Sequence, residues 1–162
     1  MIDDFQNIIV SDEIQTILKK YNWKRLLKSK NNFIYNRHGE IADYYLNITF
    51  NNERLYFECI LDIEFPDRKL NDLYLLINHV NEKSYDGYFT FVTDNKTFKY
   101  KDSIHLSSNF SNKSLYGLID LNLSTSDELI QNFTLSIHKL IYSEVTITEL
   151  TDLMFVKVLG NG

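Results

Sequence analysis

The stretch that decides the fold runs from Leu55 to Glu82, LYFECILDIEFPDRKLNDLYLLINHVNE, and contains the only proline of the chain. Apolar and polar residues alternate as far as Phe65, which is the period of a strand with one buried face. Pro66 cannot donate a hydrogen bond to a neighbouring strand, and it suits the first turn of a helix. Apolar residues then recur at helical spacing up to Val80. The stretch therefore predicts a core strand, a corner and a covering helix.

The predicted strand has two unlike faces. Its inward face consists of Leu55, Phe57, Cys59, Leu61, Ile63 and Phe65. Its outward face consists of Tyr56, Glu58, Ile60, Asp62 and Glu64. Cys59 is the only cysteine, so no disulfide forms within the chain, and a reducing compartment is favoured. Its place among apolar residues predicts an inert core thiol rather than a nucleophile.

Around this stretch the hydrophobic pattern predicts a single α+β domain over residues 1–162. The predicted strands are Phe33–Asn36, Asp43–Phe50, Leu55–Phe65, Tyr88–Thr93 and Thr97–Leu106. The predicted helices begin after Ser11, at about Asp67 and at about Ser126. Arg37 to Glu40 is predicted to be a turn. The order is α-β-β-β-α-β-β-α, which indicates a twisted antiparallel sheet of about five strands with helices on one face.

The last predicted helix has a sequence signal at its start. Thr125 and Glu128 have the spacing of a capping box, so the helix is predicted to run from about Ser126 to Tyr142. Before it, Leu115 to Leu123 is compatible with a strand or with an extra helical turn. After it, Leu150 to Leu159 is a final apolar segment.

Composition and charge disfavour several classes of protein. The formal net charge is −5 and the pI is about 5.3, whereas nucleic-acid binders usually present a basic patch. No apolar run reaches the length of a membrane span, and the acidic start MIDDF lacks the basic residues of a signal peptide. A cytoplasmic protein is expected, without membrane or nucleic acid as a partner.

Motifs for catalysis, metals or cofactors are missing from the sequence. The histidines are His38, His79, His105 and His138, and they form no H-x-H or H-E-x-x-H pattern. Asp102 and Ser103 are consecutive strand residues and point to opposite faces, so they cannot join His105 in a triad. Asp102 falls on the apolar side of its strand, which indicates an edge or a bulge. We expect no enzyme activity, no metal and no cofactor.

The outward face of the sheet is the candidate partner-binding site. Its predicted members are Tyr45, Tyr56, Glu58, Ile60, Asp62, Glu64 and Tyr88, a mixture of aromatic and acidic side chains. The acidic row could hold a cation or a basic partner, but pairing with Lys99 and Lys101 across the sheet is favoured. Residues 107–123 or the C-terminal run could instead cover this face, and the sequence leaves both arrangements open.

An ordered set of motifs extends over most of the chain. It comprises Tyr21-Asn22-Trp23, Phe57-x-Cys59, Pro66, Ile77-Asn78 with Asn81-Glu82, Gly87-Tyr88-Phe89, Phe98 to Asp102 and Met154 to Gly160. This set resembles the YbjN family, described as candidate bacterial sensory transduction regulators. There are departures: Val158-Leu159 stands where the family has a tryptophan, and the basic strand ending of the family is Lys101-Asp102 here.

The resemblance implies a fold similar to type III secretion chaperones and supplies no catalytic residues. A homodimer is one arrangement that analogy with those chaperones suggests. We therefore expect a non-enzymatic, chaperone-like domain that binds a polypeptide partner. The alternative is a stress- or signal-responsive regulatory protein that acts through self-association or ligand binding.

Overall fold

The computed structural model describes residues 4–51, 53–106 and 111–155, and these residues form one antiparallel sheet with helices packed on it. The strands are β1 Lys24–Lys28, β2 Asn32–His38, β3 Asp43–Asn51, β4 Arg54–Asp62, β5 Tyr88–Val92 and β6 Thr97–His105. Their order across the sheet is β1-β2-β3-β4-β6-β5. The α+β class and the antiparallel sheet agree with the prediction from the sequence.

The core lies on the inward face of β2 to β6. Leu46 pairs with Cys59 and Ile48 with Phe57 across β3 and β4, so these four side chains stand side by side. All four are buried. The predicted alternation of β4 is thereby confirmed from Leu55 to Leu61, because every second side chain over that length is buried.

The described ranges contain four α-helices. They are α1 Asp4–Lys20, α2 Leu70–Lys83, α3 Asn112–Tyr142 and α4 Ile147–Phe155. None of these helices is long and apolar enough to cross a membrane. Leu18 of α1 and Leu123 of α3 surround the same small gap as Leu46 and Phe57 of the sheet. Helices α1 and α3 therefore cover the inward face.

Helix α2 covers the other end of the same face, where β5 and β6 lie. Its buried stripe is Leu73, Leu76, Ile77 and Val80. The side chain of Asn81 exchanges two hydrogen bonds of 2.8 Å with the backbone of Phe89 in β5. The predicted corner at Pro66 is confirmed, since a single 3-10 turn, Asp67–Lys69, follows it and leads directly into α2.

The structure has one strand more than the sequence pattern predicts. β1 was not predicted because all five of its residues are exposed and show no alternation. It pairs with β2 through the backbone, with a register shift between Arg25 and Leu27. The predicted turn at Arg37 and His38 is wrong, because both residues belong to β2 and pair with Tyr44 and Asp43.

The predicted start of the last long helix is also wrong. Helix α3 begins at Asn112, and the Ser111 hydroxyl caps it by accepting a 3.2 Å hydrogen bond from the backbone of Ser114. Leu115 to Leu123 is thus helical, and Thr125 lies inside α3. The helix continues because Ile119 and Leu123 extend the buried stripe toward its N-terminus.

A capping box does occur in the chain, but at the start of α4. Thr146 Oγ1 accepts a 3.2 Å hydrogen bond from the backbone of Glu149, and Glu149 Oε2 accepts a 2.8 Å bond from the backbone of Thr146. The first half of the predicted apolar segment Leu150–Leu159 lies in α4, and residues 156–159 lie outside the described residues. The order of elements is therefore α-β-β-β-β-α-β-β-α-α.

Candidate functional site

The outward face of the sheet, which we call the open face, carries exposed aromatic side chains. Tyr45, Tyr56 and Tyr88 are 39%, 44% and 48% exposed. Ile60 is half-buried between them and pairs with Tyr45 across the strands. Each of the four helices of the described ranges packs on the inward side. The aromatic surface is thus left uncovered by every helix that the structure describes.

Two ion pairs lie at the centre of the open face, and both involve Glu58. Lys99 Nζ lies 3.3 Å from Glu58 Oε1, and Lys101 Nζ lies 3.5 Å from Glu58 Oε2. The predicted pairing of the acidic row with these two lysines is therefore confirmed for Glu58. Because this carboxylate is shared by two ammonium groups, the middle of the face presents hydrogen-bonding groups rather than a strong charge of one sign.

Tyr56 and Tyr88 border a shallow groove of about 610 Å³ on this face. Asn47, Thr49 and Ser103 are among the residues that line it. Amide and hydroxyl groups beside tyrosine rings can bond to a peptide backbone while the rings contact its side chains. The groove therefore offers hydrogen-bonding groups beside two aromatic rings.

Asp62 and Glu64 lie at the margin of the open face. Asp62 is exposed and pairs with Asp43 across β3 and β4, and Asp43 Oδ1 lies 2.9 Å from His38 Nδ1. Glu64 is exposed but lies beyond the last residue of β4, because the strand ends three residues earlier than the predicted Phe65. The structure brings together the other members of the predicted site and leaves Glu64 outside the sheet.

The described parts of the two segments that could have covered the open face lie elsewhere. Leu115 to Leu123 belongs to α3 on the inward side, with Ile119 and Leu123 buried. Helix α4 packs against α3, where Asn132 Nδ2 donates a 3.2 Å hydrogen bond to the Met154 carbonyl. Residues 107–110 and 156–162 lie outside the described residues.

The structure places the other chemically active residues apart from one another. Cys59 is fully buried, and burial raises the pKa of its thiol far above the ordinary value. Ser103 and His105 lie on the outward side of β6, whereas Asp102 lies on the inward side beyond the last pair of β5 with β6. No group of three or more metal-ligating side chains occurs in the part of the chain that the structure describes.

Sequence reasoning missed a buried ion pair that ties α3 to the sheet. Arg37 Nη1 of β2 lies 2.5 Å from Asp127 Oδ1 of α3, and both side chains are about nine-tenths buried. Trp23 Nε1 donates a 3.4 Å hydrogen bond to the same oxygen, and the Arg37 guanidinium lies 4.6 Å from the Trp23 ring centroid. An arginine on the apolar side of a strand was the available signal. It was not recognised, because this segment was predicted to be a turn.

Comparisons with known proteins give a distant likeness. No protein-family model and no curated protein matches the chain. Among solved structures, the chain is similar to the crystal structure of YbjN, a candidate transcription regulator from E. coli. The identity is 9%, the match covers 72% of this chain and 92% of that one, and the TM-score is 0.43. That structure bears the name of the family that the sequence motifs resemble.

Proposed function

We propose that this protein is a non-enzymatic, chaperone-like domain that binds a segment of another polypeptide on the open face of its sheet. One observation carries the proposal: Tyr45, Tyr56 and Tyr88 stay exposed on a face that the described helices leave uncovered. Tyrosine supplies a large contact area with a polar tip and loses little conformational entropy on binding, so it is enriched in protein interfaces.

The charge of the open face favours a polypeptide over a nucleic acid. Glu58 accepts both Lys99 and Lys101, so the two lysines are not available as an unopposed pair for phosphates. Asp62 and Asp43 add negative charge on the same face. A segment lying along the groove would contact Tyr56 and Tyr88 at its borders.

Site-specific photo-cross-linking in the source cell tests the proposal. A benzophenone amino acid replaces Tyr56 or Tyr88 on the open face, and Tyr142, which is 74% exposed at the end of α3, in a matched control. We expect both open-face positions to give the same discrete cross-linked protein and the control position to give none. The purified partner should then bind the Tyr56→Ser variant about tenfold more weakly than the wild type.

Two results would contradict the proposal. Cross-linking of equal yield at Tyr142 would show non-specific contact, and an absence of products at both open-face positions would show an unused surface. A cross-link between two copies of this chain would instead favour the alternative, regulation by self-association.

A further inference from the structure

A second concave site lies on the covered side of the sheet and meets the groove of the open face at Asp102. It is a cavity of about 360 Å³ between the end of α2, the strand β6, the middle of α3 and the end of α4. The volume lies within the range of about 300–1,000 Å³ that small-molecule pockets span. We call it the α3 cavity, and its lining is both apolar and acidic.

A carboxylate held by neutral donors forms the polar part of this cavity. Asp102 Oδ2 accepts hydrogen bonds from Asn122 Nδ2 at 2.9 Å, from Ser126 Oγ at 3.4 Å and from the Tyr100 hydroxyl at 3.4 Å. Its Oδ1 accepts a 2.6 Å bond from the Ser103 backbone. The ion pairs of the described ranges do not include Asp102, so its partners there are these neutral donors.

This carboxylate occupies a position that the pattern of the strand reserves for an apolar side chain. Asp102 pairs with Phe57 and follows Phe98 and Tyr100 on the inward side of β6. Burying a charged group there costs free energy unless other groups bond to it. Such bonds come from Asn122 and Ser126, which lie one helical turn apart on α3. The carboxylate and these donors therefore belong to two different elements, β6 and α3.

A buried oxygen without a hydrogen-bond partner lies beside the carboxylate. Asn122 lines the cavity, and its Oδ1 is buried without a hydrogen-bond partner, while its Nδ2 is committed to Asp102. Burial raises the pKa of the Tyr100 phenol, and the Asp102 and Asp86 carboxylates raise it further, so this hydroxyl stays protonated. Because Asn122 Oδ1 is buried, a ligand reaches the exposed Asp86 and Glu128 carboxylates more readily than this oxygen.

The rest of the lining is complementary to an amphipathic cation. Asp86 and Glu128 add two carboxylates, and Lys83, the one cation among the lining residues, already pairs with Asp152 at 3.2 Å. Leu129 and Met154 supply apolar surface opposite the carboxylates.

We propose that the α3 cavity binds a small primary ammonium compound with an apolar or aromatic body. The ammonium group lies among the Asp102, Asp86 and Glu128 carboxylates, and the body packs against Leu129 and Met154. The proposal does not rest on polypeptide binding on the open face, although Asp102 lines both the α3 cavity and the groove of that face.

Fluorescence titration of the full chain tests this site. The probe is dansylcadaverine, which joins an aromatic fluorophore to a primary ammonium group, and dansylamide is the control that lacks the ammonium group. We expect saturable binding of dansylcadaverine with a blue-shifted emission, and at least about tenfold weaker binding of dansylamide. Equal affinities for the two compounds, or no saturable binding of dansylcadaverine, would overturn the proposal.

Charge-removing variants locate the binding. Asp102→Asn should weaken dansylcadaverine about tenfold or more, whereas Asp62→Asn on the open face, which changes the net charge equally, should leave the affinity unchanged. An equal effect of the two substitutions would overturn the proposal.

If Asp102→Asn fails to fold by circular dichroism, Glu128→Gln decides, because Glu128 is an exposed residue at the cavity. It should weaken binding about threefold, and an unchanged affinity would overturn the proposal.

Discussion

Two adjacent residues of α3, Ser126 and Asp127, form polar bonds to two different strands of the sheet. Ser126 bonds to Asp102 and to Tyr100 in β6, and Asp127 bonds to Arg37 in β2. In the sequence they follow Thr125 and have the composition of a helix start. Their roles could not be predicted, because a serine and an aspartate serve equally well as caps and as buried hydrogen-bonding partners, and only the tertiary structure distinguishes the two.

Removing the Asp127 carboxylate should destabilise the fold strongly. Asp127→Ala leaves the buried Arg37 guanidinium without its counter-ion and is expected to lower the free energy of unfolding by about 3–5 kcal/mol, measured by urea denaturation. The double variant Arg37→Met with Asp127→Leu should recover much of this loss, because two apolar side chains then replace the pair. A loss below about 1 kcal/mol for the single variant would contradict the structure.

The thiol of Cys59 should report global unfolding. Its side chain is fully buried between Phe57 and Leu61, and burial raises the pKa of the thiol, so the native state holds almost no reactive thiolate at pH 8. Labelling with Ellman's reagent should proceed at the rate of unfolding and become immediate in concentrated urea. Complete labelling within seconds under native conditions would show that the strand is not in the core.

At the scale of elements, the same four-residue pattern occurs twice and has two outcomes. Thr125 to Glu128 lies within a helix, whereas Thr146 to Glu149 forms the capping box of α4. The local pattern is equal, but the apolar stripe through Ile119 and Leu123 continues across the first copy, and burial of this stripe outweighs the preference for a helix start.

The capping box makes α4 sensitive to acid. Hydrogen bonds from the backbone and the hydroxyl of Thr146 lower the pKa of Glu149 from 4.5, so the ionised form stabilises the fold above that pH. This stabilisation is lost as the pH falls through the lowered pKa. The urea midpoint of the wild type should exceed that of Glu149→Gln at pH 7, and the difference should be smaller at about pH 3.

A matched control separates the capping box from a general charge effect. Glu144 is exposed and lies just before α4, so Glu144→Gln removes the same charge near the same helix. Its urea midpoint should equal that of the wild type at both pH values. An equal loss for Glu144→Gln and Glu149→Gln would contradict the role of the capping box.

At the scale of the whole molecule, the sequence predicted the elements that bury an alternating or helical stripe. Strands β3, β4, β5 and β6 and helix α2 all have such a stripe, and the structure confirms each of them with ends shifted by a few residues. Strand β1 was missed because it is fixed by backbone pairing alone, so its side chains carry no periodic signal.

The candidate sites were predictable to unequal degrees. The open face follows from alternation, since residues two apart on a strand share a side, and Tyr45, Tyr56, Ile60 and Tyr88 do share one. The α3 cavity was not predictable, because it needs Asp102 of β6 and Asn122 of α3 to meet. Only one feature of the sequence indicated an unusual site there: Asp102 is a charged residue on the apolar side of its strand.

The bonds that Ser126 and Asp127 form with the sheet also fix the rotation of α3 about its own axis. Successive residues of a helix point about 100° apart, so Ser126 and Asp127 bond to the sheet in two different directions from the same turn of the helix. A turn of α3 about its axis, or a slide along it, would break the bonds to Asp102 and to Arg37 together. Asn122 bonds to Asp102, and Thr134 accepts a hydrogen bond from the Tyr44 hydroxyl, so bonds on either side of this level also align the 31-residue helix with the sheet.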